Sequence, residues 1–126
     1  MSVREVFTEA ESRMESDFLG KKLIVIGRTT GIGKEVASVV LRNGGSVMVV
    51  VRRDDKTKAA TVELGLRGEV SGQTGDITNG ASRADLIQDL NGKHADATML
   101  VNAAGVFVPK SFLEHSETDY DKYLEL

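Results

Sequence analysis

Apolar residues occur along this chain in short runs that are separated by longer, mixed stretches. Mostly apolar runs at 22–27 and 47–51 have the length of strands that are buried on both faces of a sheet. The second run is the clearer, because its β-branched valines favour the pleated backbone. Weaker runs at 69–74 and 97–101 indicate two more strands. The pattern therefore predicts four strands.

The stretches between these runs place apolar residues three or four positions apart, which is the spacing of one helix face. They predict helices over 31–43, over 54–64, around 84–90 and from 117 to 126. On the first helix, the residues expected on the buried side are Ile32, Val36, Val39 and Val40. Strands and helices in alternation indicate an α/β fold, in which right-handed crossovers connect a parallel sheet.

A separate amphipathic pattern covers the first eighteen residues. Apolar residues recur there at helical spacing on an acidic and polar segment, so 1–18 is predicted to be an added helix. We expect this helix to pack on the rest of the protein or on a partner. Residues 19–126 are predicted to form a single domain, because a chain of 126 residues has room for one core.

Composition and charge exclude several classes of protein. The net charge is −3, with 16 basic and 19 acidic residues, which argues against a nucleic-acid partner. The chain has no cysteine and two distant histidines, so disulfides and a metal site are not expected. No apolar run approaches the length of a membrane span, and the acidic N-terminal segment is unlike a signal peptide. We therefore expect a cytoplasmic protein that binds neither nucleic acid nor a membrane.

Three glycines lie in the turn between the first predicted strand and the first predicted helix. Gly27 allows a tight bend, Gly31 lets backbone N–H groups approach a pyrophosphate, and Gly33 permits close packing of the helix. The turn follows a buried parallel strand, where open α/β sheets bind ligands. We therefore predict that a dinucleotide binds to these glycines and to the residues between them, Arg28, Thr29, Thr30 and Ile32. A glycine-rich turn without a ligand is the alternative.

The end of the second predicted strand distinguishes NADP from NAD. An acidic residue at this position would bind the ribose 2′-hydroxyl group of NAD. Val51 stands there instead, and the guanidinium groups of Arg52 and Arg53 that follow suit a phosphate. We therefore predict NADP in preference to NAD as the cofactor. A solvated pair of arginines, neutralised by Asp54 and Asp55, is the alternative interpretation.

Over residues 19–126 the chain resembles the short-chain dehydrogenase/reductase family. The family's Thr-Gly-x-x-x-Gly-x-Gly motif corresponds to 26–33, where Ile26 replaces the threonine. Its Asn-Asn-Ala-Gly motif corresponds to Asn102, Ala103, Ala104 and Gly105, with Ala103 in place of the second asparagine. The family's aspartate that approaches adenine corresponds to Asp76, beside Ile77. Purely structural roles, a turn for Asp76 and a backbone bridge for Asn102, remain alternatives.

The resemblance implies a fold, a cofactor and a reaction. It implies a Rossmann-like, doubly wound parallel sheet with strand order 3-2-1-4, and a homo-oligomer. It also implies NADP(H)-dependent hydride transfer to or from a small carbonyl or alcohol substrate. The family's catalytic serine, tyrosine and lysine have no counterpart here, so no catalytic residue is assigned. We expect a truncated, cofactor-binding part that is inactive by itself; the alternative is a non-catalytic nucleotide-binding or interaction module.

Overall fold

The computed structural model describes residues 17–27, 30–105 and 109–124, and strands and helices alternate along them. The strands are β1 (Lys22–Gly27), β2 (Ser46–Val51), β3 (Val70–Thr74) and β4 (Met99–Ala103). The helices are α1 (Ile32–Arg42), α2 (Asp54–Gly65), α3 (Gly80–Lys93) and α4 (Glu117–Leu124), and a 3-10 turn at Phe112–Glu114 precedes α4. None of the helices within the described ranges is long and apolar enough to cross a membrane.

The four strands form one parallel sheet in the order β3-β2-β1-β4. The chain moves outward from β1 to β2 and β3, and then crosses back to place β4 on the other side of β1. The order reverses between β1 and β4, and sheets of this type bind ligands at the carboxyl edge beside such a reversal. The predicted α/β, Rossmann-like fold and its strand order are confirmed.

Helices cover both faces of the sheet, and β2 contributes to both covered faces. Val47 and Val49 belong to the core cluster that β1 and β2 form with α1 and α2. Met48 and Val50 belong to a second cluster, in which Leu86 of α3 packs against the opposite face. Neighbouring side chains on a strand point to opposite faces of the sheet. A strand that is covered on both faces can therefore be apolar at every position, without alternating polar and apolar residues.

The buried side of α1 agrees with the sequence prediction only in part, since Val40 is buried and Val36 packs against the core. Ile32 is 79% exposed and Val39 is 38% exposed, whereas Ala37, Ser38 and Gly33 are buried. The buried stripe of α1 is set by Ala37, Val40 and Leu41, which lie three and four positions apart, and Val39 lies off that stripe. Ile32 lies in the first turn of the helix and is exposed at the carboxyl edge of the sheet.

Strand β4 lies two residues further along the chain than the predicted 97–101. Its ladder with β1 continues to the pair Gly27–Ala103, so Asn102 and Ala103 become strand residues. The polar side chain of Asn102 gave no indication of a strand, and the pairing with β1 decides the boundary.

The predicted N-terminal helix over 1–18 lies outside the described residues up to residue 16. Phe18 lies in a turn over 17–20, where its N–H donates to the carbonyl oxygen of Asn43 across 2.9 Å. Its side chain packs against the core cluster of α1 and α2.

Candidate functional site

The end of β1 lies directly against the backbone of β4. Gly27 has a φ of 119°, which side chains strongly disfavour. A Cβ atom on Gly27 would lie 2.5 Å from the carbonyl carbon of Ala103 and 2.5 Å from the amide nitrogen of Ala104. Glycine is therefore required by both the backbone conformation and the space. The close approach places the 102–105 motif beside the first glycine of the predicted nucleotide turn.

Helix α1 begins at Gly31 without a side-chain cap. Gly31 has a φ of 63°, and among the described residues nothing lies within 4 Å of a Cβ atom built on it. The conformation therefore favours glycine, and no described residue fills the space beside Gly31. Unsatisfied N–H groups and the positive end of the helix dipole suit an anion at such a position. Thr30 and Ile32 are exposed beside Gly31 and Gly33 is buried; the predicted contacts Arg28 and Thr29 lie outside the described residues.

The two arginines after β2 differ in their partners. The Nε and Nη2 atoms of Arg53 donate to the two carboxylate oxygens of Asp55 across 3.2 and 3.0 Å. The carboxylate of Asp54 instead pairs with Lys58 across 2.8 Å, and this contact lowers the pKa of Asp54. Arg52 is exposed, and in the part of the chain that the structure describes its guanidinium group makes no hydrogen bond. Of the two neighbouring aspartates, neither neutralises Arg52.

Asp76 follows β3 and forms a local turn. Its Oδ1 atom accepts hydrogen bonds from the Thr78 hydroxyl group at 2.6 Å and from the Thr78 N–H at 3.0 Å. These bonds hold the pKa of Asp76 below its ordinary value, and the positive charge of Arg52 adds a smaller effect. The Asp76 N–H donates to Ser82 Oγ across 2.8 Å. Asp76 therefore has the turn role, and its carboxylate lies within electrostatic reach of Arg52; neighbouring Ile77 packs against the core cluster of α3.

The motif over 102–105, which begins in β4, also forms a local turn. Asn102 Oδ1 accepts a hydrogen bond from the Ala104 N–H across 3.1 Å, which is the backbone-bridging role. Ala103 and Ala104 are half-buried, and Gly105 is exposed with nothing within 4 Å of a Cβ atom built on it. The turn after β4 therefore leaves open space beside Gly105.

Parallel pairing brings these residues to one edge of the sheet. Across that edge they follow the strand order, with Asp76 after β3, Arg52 after β2, Gly27 at the end of β1 and Asn102 in β4. Neighbouring strands lie about 4.8 Å apart, so the outer two are separated by roughly 14 Å. The edge offers a carboxylate, a free guanidinium group and an open helix N-terminus along this length. Such an arrangement suits an extended, anionic nucleotide.

Sequence reasoning missed a hydroxyl pair beneath the Arg52 turn. The hydroxyl of Thr74, the last residue of β3, donates to Thr57 Oγ1 across 3.1 Å. Thr57 lies four residues after Arg53 in α2, a spacing at which threonine often bonds a backbone carbonyl. The spacing could have predicted a bond from Thr57 to the carbonyl of Arg53. The contact of Thr57 with Thr74 could not be predicted in this way, because it depends on how α2 packs on β3.

Comparison with known proteins gives a family match over most of the chain. Residues 21–126 match the short chain dehydrogenase family. The chain is 31% identical over 112 residues to 3-oxoacyl-(acyl-carrier-protein) reductase FabG of Chlamydia pneumoniae, which covers 88% of this chain and 45% of that protein. It is 29% identical over 124 residues to 3-ketodihydrosphingosine reductase of Dictyostelium discoideum, covering 85% and 37%. The chain thus spans less than half the length of these curated relatives.

Solved structures share the fold. The NADP active-site complex of RhlG from Pseudomonas aeruginosa superposes with a TM-score of 0.78 at 24% identity, covering 90% of this chain and 44% of that one. A short-chain type dehydrogenase/reductase from Mycobacterium ulcerans superposes with a TM-score of 0.72 at 27% identity, covering 86% and 42%. The strand order, the glycine turn at the carboxyl edge and the match over 21–126 all indicate the same family. The chain belongs to the short chain dehydrogenase family, whose members are oxidoreductases that bind NAD or NADP.

Proposed function

We propose that this chain is the NADP(H)-binding part of a cytoplasmic short-chain oxidoreductase. The reaction would be hydride transfer between NADPH and the carbonyl or alcohol group of a small molecule. The observation that carries the proposal is the exposed Arg52 guanidinium group directly after the buried end of β2. The absence of cysteine from the 126 residues supports the cytoplasmic location, because disulfides are rare in that compartment.

The residues at the carboxyl edge fit an adenine dinucleotide. Open space at Gly31 allows a pyrophosphate to approach the first turn of α1, where its charge is favoured. Arg52 lies one strand away and would bind a phosphate on the adenosine ribose. Asp76, one strand further, would accept a hydrogen bond from the adenine amino group. The bound cofactor would supply or accept the hydride, and this chain's residues would bind and orient it.

The surroundings of Arg52 favour NADP over NAD. Val51 is 6% exposed and aliphatic, so it offers no acceptor for the 2′-hydroxyl group that NAD carries at this position. The nearby carboxylates of Asp54 and Asp55 are paired with Lys58 and Arg53. A guanidinium group without a paired carboxylate attracts a phosphate, and the resulting hydrogen bonds are charge-assisted.

Replacing Arg52 tests the cofactor assignment. A charge-assisted hydrogen bond contributes roughly 1.5–3 kcal/mol, so Arg52→Ala should weaken NADP binding about ten- to a hundredfold. NAD has no phosphate there, so its affinity should hardly change. Calorimetric titration of the full chain with both cofactors measures the ratio. Arg42→Ala is the matched control, because this exposed arginine ends α1 at the opposite edge of the sheet. An unchanged NADP-to-NAD ratio in Arg52→Ala would contradict the assignment.

A second candidate is a nucleotide-binding or interaction module without turnover. It is supported by the lack of counterparts for the family's catalytic serine, tyrosine and lysine in these 126 residues. Both candidates predict that the pure chain binds NADPH but does not oxidise it in the presence of carbonyl compounds, because the family's proton-donating tyrosine and its lysine have no counterpart in the 126 residues. Absorbance at the NADPH band, compared with a protein-free control, measures this. Steady oxidation by the pure chain would show that it contains a catalytic group.

A further inference from the structure

A chain of hydroxyl groups lies beneath the turn that carries Arg52. Thr57 is buried in the first turns of α2, and its Oγ1 lies 3.0 Å from the carbonyl oxygen of Arg53 and 3.5 Å from that of Val51. Thr74 Oγ1 lies 3.1 Å from the same Oγ1 and 3.3 Å from Asp54 Oδ1, so its single proton is shared between these two acceptors. A hydroxyl group has one proton, so Thr57 donates to the nearer carbonyl of Arg53 and accepts from Thr74. The chain of bonds connects the end of β3 to the turn after β2.

Packing holds Thr57 in position for these bonds. A Cβ atom on Gly72 of β3 would lie 2.8 Å from Thr57 Cγ2 and 2.6 Å from Thr61 Cγ2. The two methyl groups therefore occupy the space that glycine leaves on the strand. A β-branched side chain has few χ1 rotamers, so a fixed methyl group also fixes the direction of the hydroxyl group. The hydroxyl of Thr57 is thus directed at the Arg52 turn by the contact of its methyl group with β3.

We propose that Thr57 is a positioning residue that increases selectivity for NADP over NAD by holding the turn that presents Arg52. The inference rests on the proposed function, because it requires Arg52 to bind the phosphate. An arginine on an ordered turn loses less conformational freedom when it binds, and its complex is correspondingly tighter. Thr57 itself is buried and acts on the cofactor only through Arg52.

Removal of the hydroxyl group should leave the fold intact. The carbonyl of Arg53 also accepts the N–H of Thr57 at 2.9 Å, and the carbonyl of Val51 accepts the N–H of Gly75 at 3.0 Å. Both carbonyls therefore keep a backbone partner when the hydroxyl is lost. Thr57→Val keeps the methyl group against Gly72 and removes the hydroxyl bonds to the turn and to Thr74, whose hydroxyl keeps Asp54 as an acceptor.

The test compares three threonine variants by calorimetric titration with NADP and NAD. Thr57→Val should weaken NADP binding about three- to tenfold and leave NAD binding unchanged. Thr57→Ser keeps the hydroxyl group and should retain the wild-type ratio, even if its melting temperature falls. Thr61→Val is the matched control, because Thr61 also packs on Gly72 but donates its hydroxyl to the carbonyl of Lys58, away from the turn. It should leave the ratio unchanged.

A double-mutant cycle with Arg52→Ala separates this inference from the proposed function. If Thr57 acts through Arg52, Thr57→Val should have no effect on the ratio in the Arg52→Ala background. An Arg52→Ala variant with the wild-type ratio would overturn the NADP assignment and this role together. An effect of Arg52→Ala without one of Thr57→Val would overturn only the role of Thr57. The role of Thr57 would also be overturned if Thr57→Val changed the ratio in the Arg52→Ala background. The same holds if Thr57→Val weakened the binding of NADP and of NAD equally.

Discussion

Single residues decide what the carboxyl edge of this sheet can bind. Because Gly27 has no side chain, the backbone of β4 can approach β1 closely. The glycine turn and the 102–105 motif are therefore neighbours. Arg52 and Arg53 are adjacent and chemically identical, yet Asp55 pairs only with Arg53. The guanidinium group of Arg52 is therefore available because Asp55 pairs with Arg53 instead.

Gly27→Ala should destabilise the fold strongly, although Gly27 is only half-buried. The methyl group would collide with backbone atoms at 2.5 Å, and the φ of 119° would be strained. Overpacking and strain each cost about 1–3 kcal/mol, so we expect a loss of about 2–5 kcal/mol in the free energy of unfolding. Urea denaturation measures this loss. Gly65→Ala, where nothing lies within 4 Å, should be neutral or stabilising. Equal midpoints for Gly27→Ala and the wild type would contradict the prediction.

At the scale of elements, the helix N-termini differ in how they are capped. Asn79 Oδ1 accepts the N–H of Ser82 at the start of α3, across 2.9 Å. At the start of α4, Asp119 accepts hydrogen bonds from Ser116 N–H at 2.9 Å and Ser116 Oγ at 3.0 Å. Helices α1 and α2 have no side-chain cap, and both begin at the carboxyl edge of the sheet. Free N–H groups are thus present at both of these helix ends, and those of α1 are where the proposed pyrophosphate would bind.

Helix α4 should lose stability in acid through Asp119. An ion pair with Lys110 at 2.7 Å and the bonds from Ser116 hold the pKa of Asp119 well below its ordinary value. A carboxyl group with a lowered folded pKa stabilises above its unfolded pKa, and this effect is lost as the pH falls through the folded pKa. Asp119→Asn should therefore speed amide hydrogen exchange in α4 about tenfold at pH near 7. The difference from the wild type should persist to about pH 4 and shrink below it.

The control for this prediction is on the same helix. Asp121 is exposed, and Asp121→Asn should leave the exchange of α4 unchanged. In both variants the amides of β2 should exchange as in the wild type, because that strand is buried at the centre of the sheet. A pH-independent difference for Asp119→Asn would show that its charge is not the cause.

At the scale of the whole molecule, the sheet has two unlike edges. Strand β4 is an edge strand, and no other strand of the described residues pairs with its outer side. Leu100, on the same strand, is 65% exposed. Unpaired backbone groups beside an exposed apolar side chain favour association with another strand.

We therefore propose that the pure chain self-associates through β4. Sedimentation from micromolar to millimolar protein should show an average mass that rises above the monomer mass. Leu100→Lys places a charge on the edge strand and should keep the chain monomeric. Leu66→Lys is the control, since Leu66 is equally apolar and even more exposed but follows α2, away from β4. A monomeric wild type throughout this range would contradict the prediction.

Much of the fold follows from local patterns in the sequence. The limits of β1 agree with the prediction, and those of β2 and β3 differ by one residue at one end, because apolar runs and flanking glycines mark them. The glycine turn and Arg52 were predicted from their positions at the ends of strands and Asp76 from the family resemblance, and the parallel sheet places all of them at one edge. Their roles in binding stay predictions.

By itself, then, the sequence determined the alternation of elements and the residues that follow each strand, since both depend on near neighbours along the chain. The tertiary structure decided the end of β4, the exposed position of Ile32 and the bond between Thr57 and Thr74. Each of these depends on contacts between residues that are distant in the sequence. Such contacts form only when the sheet register and the helix packing are set, and no local pattern of polar and apolar residues encodes them.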